Sequence, residues 1–427
     1  MGAVAAPMPG PFPEISVRRQ RFWRRRVQPM IRLFINGLAA SAGGGLTYLR
    51  NVIPHLARRE DAETTVLLNP AFRRDFGELP NIFFVEDLES YGTPRRFIRE
   101  QTTLPKLIRR SGAQVLISAG NFALWNSPVP QILLSRNSLY TSVAFYSDLR
   151  ARREYRMWLD TRLKSSFARR SIGWADCTVA PTRSFADELK LWTGIDVIPI
   201  YHGFDHDLFF RDSPPLSKEV RQKLDATRDS LRLLLVSHYT YYRNFETLIR
   251  ALPELKAAVA PRKLRLILTC EFRPSDGYRT DLAAALLRRL DVGAEVIQLG
   301  SVPYRSLSHL YRACDVYVTP AYTETFAHPL VEAMASGLPI VASDLAVHRE
   351  ICGSAALYFP RFSPNELAQR VLEVVSSPAV SAQLAEKGKR RAKCFSWSKH
   401  VHEIVALAIR LTSSRAGSMH VDDPVMK

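Results

Sequence analysis

Glu324 and Glu332 stand eight positions apart in "TPAYTETFAHPLVEAMASGLPIVASD", residues 319–344, with Phe326, Ala327, His328 and Pro329 between them. Two carboxylates so placed suit two chemistries. They can flank a glycosidic bond as acid and base, or clamp the anionic end of a cofactor or substrate. Residues 316–320 read as a strand, 323–328 as a loop, and Pro329 as the first turn of a helix that Gly337 closes. Glu332 then projects from the start of that helix and Glu324 from the loop before it. Free N–H groups near 326–330 would point at whatever sits above the strand ends, where an open α/β sheet takes a phosphate. The arrangement reads as a phosphate-and-sugar seat more than as a hydrolytic pair.

Two further stretches carry related chemistry. In "LLLVSHYTYYRNFETLIRAL", 233–252, a buried strand ends near His238 and a helix starts near Asn244, read as its N-cap. Arg243 adds a full positive charge beside that second helix N-terminus, so the pair of helix starts makes a diphosphate site. In "NGLAASAGGGLTYLRNVIPHL", 36–56, Gly43, Gly44 and Gly45 precede an amphipathic helix and let backbone approach a ligand closely. The spacing is not G-x-G-x-x-G, so no dinucleotide fingerprint is expected, and a tight turn explains the glycines equally well.

Positioning these residues takes a βα framework. Near-continuous Val/Ile/Leu runs at "IRLFIN", "TTVLLN", "IFFVED", "QVLISAG", "QILLSRN" and "CTVAPT" fill the first half. "LRLLLVSH", "LRLILTCE", "AEVIQLG", "VYVTPA" and "LPIVAS" fill the second. Such runs are strands covered on both faces, and the alternating helical periods predict two doubly wound α/β domains. The irregular "HGFDHDLFFRDSPPLSKEV" joins them, and the chain from about 364 reads as helix. The stretch 148–176 reads as one long helix. Tyr155, Leu159, Leu163 and Phe167 step by four along it, and the expectation is that this stripe packs on the core. A membrane surface or an anionic acceptor is the alternative.

Composition bounds the rest. A chain of 427 residues exceeds one ordinary core. No stretch of about 18 apolar residues suggests a transmembrane helix, and no apolar segment with a small-residue cleavage site marks a signal peptide. Five scattered cysteines and ten histidines without ligand spacing predict a reducing compartment, no disulfides and no metal site. The net charge of +18 asks for an anionic partner. Residues 18–26, "RRQRFWRRR", set six arginines around Phe22 and Trp23 and suit an anionic membrane surface. No nucleic-acid recognition motif accompanies the charge, so nucleic acid is not expected.

With these motifs in place, the chain resembles the large retaining glycosyltransferase family 4, of the two-domain GT-B fold. The carriers are "ETFAHPLVEAMASGLPIVASD", an E-x7-E motif, with "YHGFDHDLF" at 201–209, the strand–loop–helix at 233–252, and "LGSVPYRSLSHLYRACDVYVTPA" at 299–321. The resemblance covers about 30 to 415. It implies two Rossmann-like domains facing across a cleft, an acceptor-side domain at 30–205 and a nucleotide-sugar domain at 206–395, after the Pro- and Arg-rich stretch 1–29 that composition marks as a basic tail. The helix of 396–427 would pack back toward the first domain.

By the same resemblance, Glu332 holds the ribose hydroxyls, and Glu324, with Arg243 and His238, serves the transferred sugar and diphosphate. Backbone at Phe326, Ala327 and His328 meets sugar and phosphate, Val302 to Tyr304 lie near the base, and Gly44 and Gly45 approach the diphosphate. Arg136 and Asn137 lie on the acceptor side. The chain departs from the family at three places: His238 and Arg243 stand where an Arg and a Lys are usual, Ala327 replaces a glycine, and Arg136 and Asn137 stand where many members carry a histidine. The implied activity is metal-independent transfer of a hexose from a nucleotide-diphosphate sugar to a glycan or lipid-linked acceptor, with no cofactor. The implied location is the cytoplasm, at the inner face of a membrane. The departures leave a non-catalytic GT-B scaffold as the alternative.

Overall fold

The computed structural model describes residues 30–40, 43–86, 93–211, 213–273 and 278–419. The arginine-rich stretch 18–26 lies outside them. Two all-parallel sheets organise the chain. The first holds β1 (Ile31–Asn36), β2 (Ala62–Leu68), β3 (Ile82–Glu86), β4 (Val115–Ser118), β5 (Gln131–Leu134), β6 (Cys177–Ala180) and β7 (Val197–Pro199), in the order β3-β2-β1-β4-β5-β6-β7. The second holds β8 (Ser230–Leu235), β9 (Lys263–Leu268), β10 (Val296–Gln298), β11 (Val316–Thr319), β12 (Ile340–Ser343) and β13 (Ala356–Phe359), in the order β10-β9-β8-β11-β12-β13.

The buried runs set these registers. Leu33 to Asn36 pair with Val115 to Ser118 across the β1–β4 junction, and Val316 and Tyr317 pair with Leu233 and Leu234 across β8–β11. At both junctions the winding of the sheet reverses. The crevice beyond the strand ends at such a reversal is where doubly wound sheets place ligands. The loops after β1, β4, β8 and β11 therefore border those two crevices. All five cysteines are free thiols, and no described helix is long and apolar enough to cross a membrane.

Two crossings tie the halves together. The C-terminal helix Trp397–Met419 sends Trp397, Val401, Ile404 and Val405 into the core under the first sheet. It can do so because the chain at Gly203 runs hard against Ser396 and Trp397, where a Cβ would collide with backbone. In the other direction, the helix Val143–Ala151 puts Phe145 and Leu149 into the core of the second sheet. Each such side chain is worth about 1.5–3 kcal/mol relative to exposure. Polar contacts reinforce the join: Tyr322 donates to Asp148 at 2.8 Å, Arg152 pairs with Glu246 at 3.0 Å, and Thr182 donates to the Thr325 carbonyl at 2.9 Å.

The stretch 148–176 departs from the expected single helix. It breaks between Val143–Ala151 and Tyr155–Ile172, with Arg153 at φ +60° in the join. The stripe is also reversed. Tyr155, Leu159, Leu163 and Phe167 are 63%, 54%, 57% and 48% exposed, whereas Thr161, Ser165, Ala168 and Ser171 are buried. The small face wins the inner position because it admits close contact: Ser165 donates to the Tyr140 carbonyl at 3.0 Å, and Ser171 accepts from the Ala123 N–H.

Candidate functional site

The loops after β1, β4, β8 and β11 converge on one cleft of about 640 Å³ between the sheets, within the range of small-molecule sites. Gly45, Arg136 and Asn137 line it from the first half. His238, Arg243, Val302, Tyr304, Glu324, Phe326, Ala327, His328 and Glu332 line it from the second. Gly44 lies in the first turn of the neighbouring helix Gly43–Ala57. Residues singled out by spacing and by the family resemblance thus line one cleft.

Glu332 sits in the helix His328–Ser336 and is only 4% exposed. Its carboxyl accepts a hydrogen bond from the Tyr311 hydroxyl at 2.7 Å. Burial pushes its pKa up to about 7, and the Tyr311 bond works against that rise. Such a carboxyl, at a cleft wall, suits hydroxyl groups that would donate to it. Tyr304, beside it, has its phenol pushed upward by burial and then by the Glu332 charge.

Glu324 and Arg243 form an ion pair across the mouth of the β8 and β11 loops. The guanidinium also lies 5.2 Å from the Tyr242 ring centre. The two residues stand 81 positions apart in the chain, and the structure brings them together. His238 is exposed at the rim. Asn244 does hold the N-cap position of the helix Phe245–Ala258, but at φ +55° and without capping through its side chain, which instead donates to the Pro320 carbonyl at 3.0 Å. The first turn of that helix already carries Glu246, turned to Tyr239 and Arg152. Of these two helix starts, the one at His328 opens on the cleft lining and the one at Asn244 does not.

That start is uncapped by any side chain, and Ala327 occupies its N-cap at φ +60°, ψ +64°. An alanine in the left-handed region costs about 1–2 kcal/mol. Ala327→Gly is therefore expected to raise the unfolding free energy by about 1 kcal/mol, after the extra chain entropy of glycine is subtracted. Urea unfolding of the two proteins checks this, and an unchanged or lower midpoint counts against the strain.

The floor carries residues that sequence reasoning missed. His202, from the crossover, stacks on His328 with rings 5.2 Å apart, and His202 Nδ1 lies 3.2 Å from His328 Nε2. His400 bonds the Tyr48 hydroxyl at 2.9 Å and the Tyr201 carbonyl at 2.8 Å. Burial lowers all three imidazoles, His328 and His400 to about 4, with Arg136 adding to the effect. They are neutral at ordinary pH. Arg136 lies over the Tyr48 ring at 4.5 Å and donates to the Ala119 carbonyl. The single available signal was His202 in "YHGFD"; its partners are far apart in the chain. Among the described residues no group of three His, Cys, Asp or Glu side chains is placed to hold a metal ion.

Two parallel Rossmann-like sheets, each with its winding reversal turned to a shared cleft, define the GT-B class of α/β proteins. The family described as "Glycosyl transferases group 1" matches residues 217–391, and "Glycosyltransferase Family 4" matches residues 42–208. The chain belongs to this glycosyltransferase family. A D-inositol 3-phosphate glycosyltransferase of Catenulispora acidiphila is 28% identical over 231 residues, 52% of this chain and 53% of the relative. An O-antigen chain mannosyltransferase B of Escherichia coli is 29% identical over 121 residues, 28% of this chain and 32% of the relative. The chain spans about half the length of the first of these and less of the second. Among solved structures, the sucrose-phosphate synthase of Thermosynechococcus elongatus superposes with a TM-score of 0.72 at 19% identity, covering 90% of this chain and all of that one. Anabaena Alr3699/HepE, in complex with UDP and glucose, gives 0.64 at 17% identity, covering 88% and 99%. At those identities the likeness is one of fold.

Proposed function

We propose that this chain is a retaining glycosyltransferase that moves a hexose from a nucleotide-diphosphate sugar to a glycan or lipid-linked acceptor. The observation that carries the reading is the buried, hydrogen-bonded Glu332 beside the Arg243–Glu324 pair and the uncapped His328 helix start, all in one cleft. Glu332 receives the ribose hydroxyls. Val302 and Tyr304 face the base. Arg243, His238 and the N–H groups at 327–328 take the diphosphate, which Gly44 and Gly45 approach from the other sheet. Glu324 and Phe326 meet the hexose, and Arg136 and Asn137 face the acceptor. That HepE is a complex with UDP and glucose supports a nucleotide-sugar occupant for a cleft of this shape.

In the reaction the bond from the anomeric carbon to the phosphate oxygen breaks as the acceptor oxygen bonds on the same face. The departing phosphate takes the acceptor's proton. Charge on that phosphate is met by Arg243 and backbone N–H groups, so neither an enzyme nucleophile nor a metal is required. The work belongs in the cytoplasm, peripheral to a membrane that offers lipid-linked acceptors. A second reading, a donor-binding scaffold without turnover, draws on the engagement of Arg243 by Glu324.

Release of nucleotide diphosphate from UDP-, GDP- and ADP-hexoses, with and without EDTA, tests the proposal. One donor is expected to turn over at a rate that EDTA leaves unchanged. Loss of activity in EDTA overturns the metal-independent step, and tight donor binding without release favours the scaffold.

A further inference from the structure

A surface helix ordinarily turns its large apolar residues to the core and its charges to water. The helix Tyr155–Ile172 turns both a row of large apolar residues and its arginines to water. Tyr155, Leu159, Leu163 and Phe167 form an outward row, about 18 Å long at the helical rise. Arg156, Arg162, Arg169 and Arg170 are exposed along it. Asp160, the one acid in the helix, is tied to Lys164 at 2.7 Å.

The face extends past the helix. Phe167 lies 6.2 Å from Phe97 of the helix Thr93–Ser111, where the next residue, Ile98, is 63% exposed. That second helix carries six basic residues against one acid. Beyond the C-terminal end, Trp174 stacks on Trp125, itself 74% exposed.

We propose that the helix Tyr155–Ile172 is a membrane-docking surface whose apolar row enters the headgroup boundary of an anionic phospholipid bilayer while its arginines meet the phosphates. Charge decides among the occupants. An apolar row with a cationic rim and tryptophan at its end matches the layered chemistry of a bilayer edge. A second copy of the chain would set the same cationic rim against itself, and a nucleic acid has no use for Leu159 and Leu163. The inference does not depend on the glycosyl-transfer reading.

Co-sedimentation of the full chain with phosphatidylcholine vesicles, with and without phosphatidylglycerol, tests it. The wild type is expected on the anionic vesicles only. Leu159→Glu/Leu163→Glu should weaken that binding by more than about tenfold, with the melting temperature unchanged because both positions are exposed. Arg156→Gln/Arg162→Gln should weaken it by about fivefold per arginine. Wild-type binding retained by the leucine double variant overturns the proposal, as does failure of the wild type to bind anionic vesicles. A wild-type dimer that the leucine variant converts to monomer in light scattering assigns the face to a second copy and overturns it too.

Discussion

Arg243→Ala is expected to lower kcat for donor turnover by about two to three orders of magnitude, the loss seen when one preorganised donor to a developing anion is removed. Among the lining residues that the second sheet's half contributes, Arg243 is the one permanent positive charge. Its side chain is 21% exposed, so its field is only partly screened. The structure also supplies a competing explanation, because the guanidinium holds the Glu324 carboxylate, 9% exposed, in place. Removing one partner of a buried pair strands the other and costs stability. The double variant Arg243→Ala/Glu324→Ala separates the two roles. If Arg243 meets the departing phosphate, the double variant stays as slow as the single one. A kcat restored toward wild type would reduce Arg243 to a brace for Glu324. Arg243→Lys keeps the charge but not the planar fork, so an intermediate rate is expected.

Glu332→Gln is expected to make the empty protein more stable at alkaline pH and weaker toward its donor. The buried carboxyl titrates near 7 in the folded chain against 4.5 unperturbed. Its protonated form is the favoured one when folded. The stabilisation this gives is complete below about pH 4.5 and is lost as pH rises through 7. Above that, ionisation of the buried group costs about 3 kcal/mol. Glutamine cannot ionise and still accepts from Tyr311, so the variant's advantage should be near zero at pH 4 and grow toward that figure by pH 8. Unfolding curves at both pH values measure it, and parallel pH profiles for the two proteins would contradict the assignment. Two hydroxyl donors to the carboxylate favour its ionised form, so wild-type donor affinity should rise with pH through 7.

The fold was largely legible because buried parallel strands are near-continuous apolar runs, as at Leu231 to Leu235 and Leu264 to Leu268, where one arginine alone interrupts each. β7 and β13 are not legible in that way. Each closes one edge of its sheet, and "VIP" and "ALYF" are too short, and only partly buried, to stand out as runs. The break at Arg153 carries neither glycine nor proline, so nothing local announces it. The stripe of Tyr155 to Phe167 was visible as a period, but which face of a helix goes inward is decided by what it meets, here Tyr140 and Ala123. In the site, Glu324 and Glu332 declared themselves by type and spacing. The pairing of Glu324 with Arg243, and the meeting of Tyr48, His202, His328 and His400, are long-range contacts that only the two sheets' juxtaposition creates.

The measurement closest to the central claim is calorimetric titration of UDP, GDP and ADP into wild type and Glu332→Gln at pH 8. Wild type is expected to bind one of the three and the variant to bind it about a hundredfold more weakly, since the two hydroxyl hydrogen bonds lose their charged acceptor. Equal affinity in the two proteins, or no binding of any nucleotide by wild type, would contradict it.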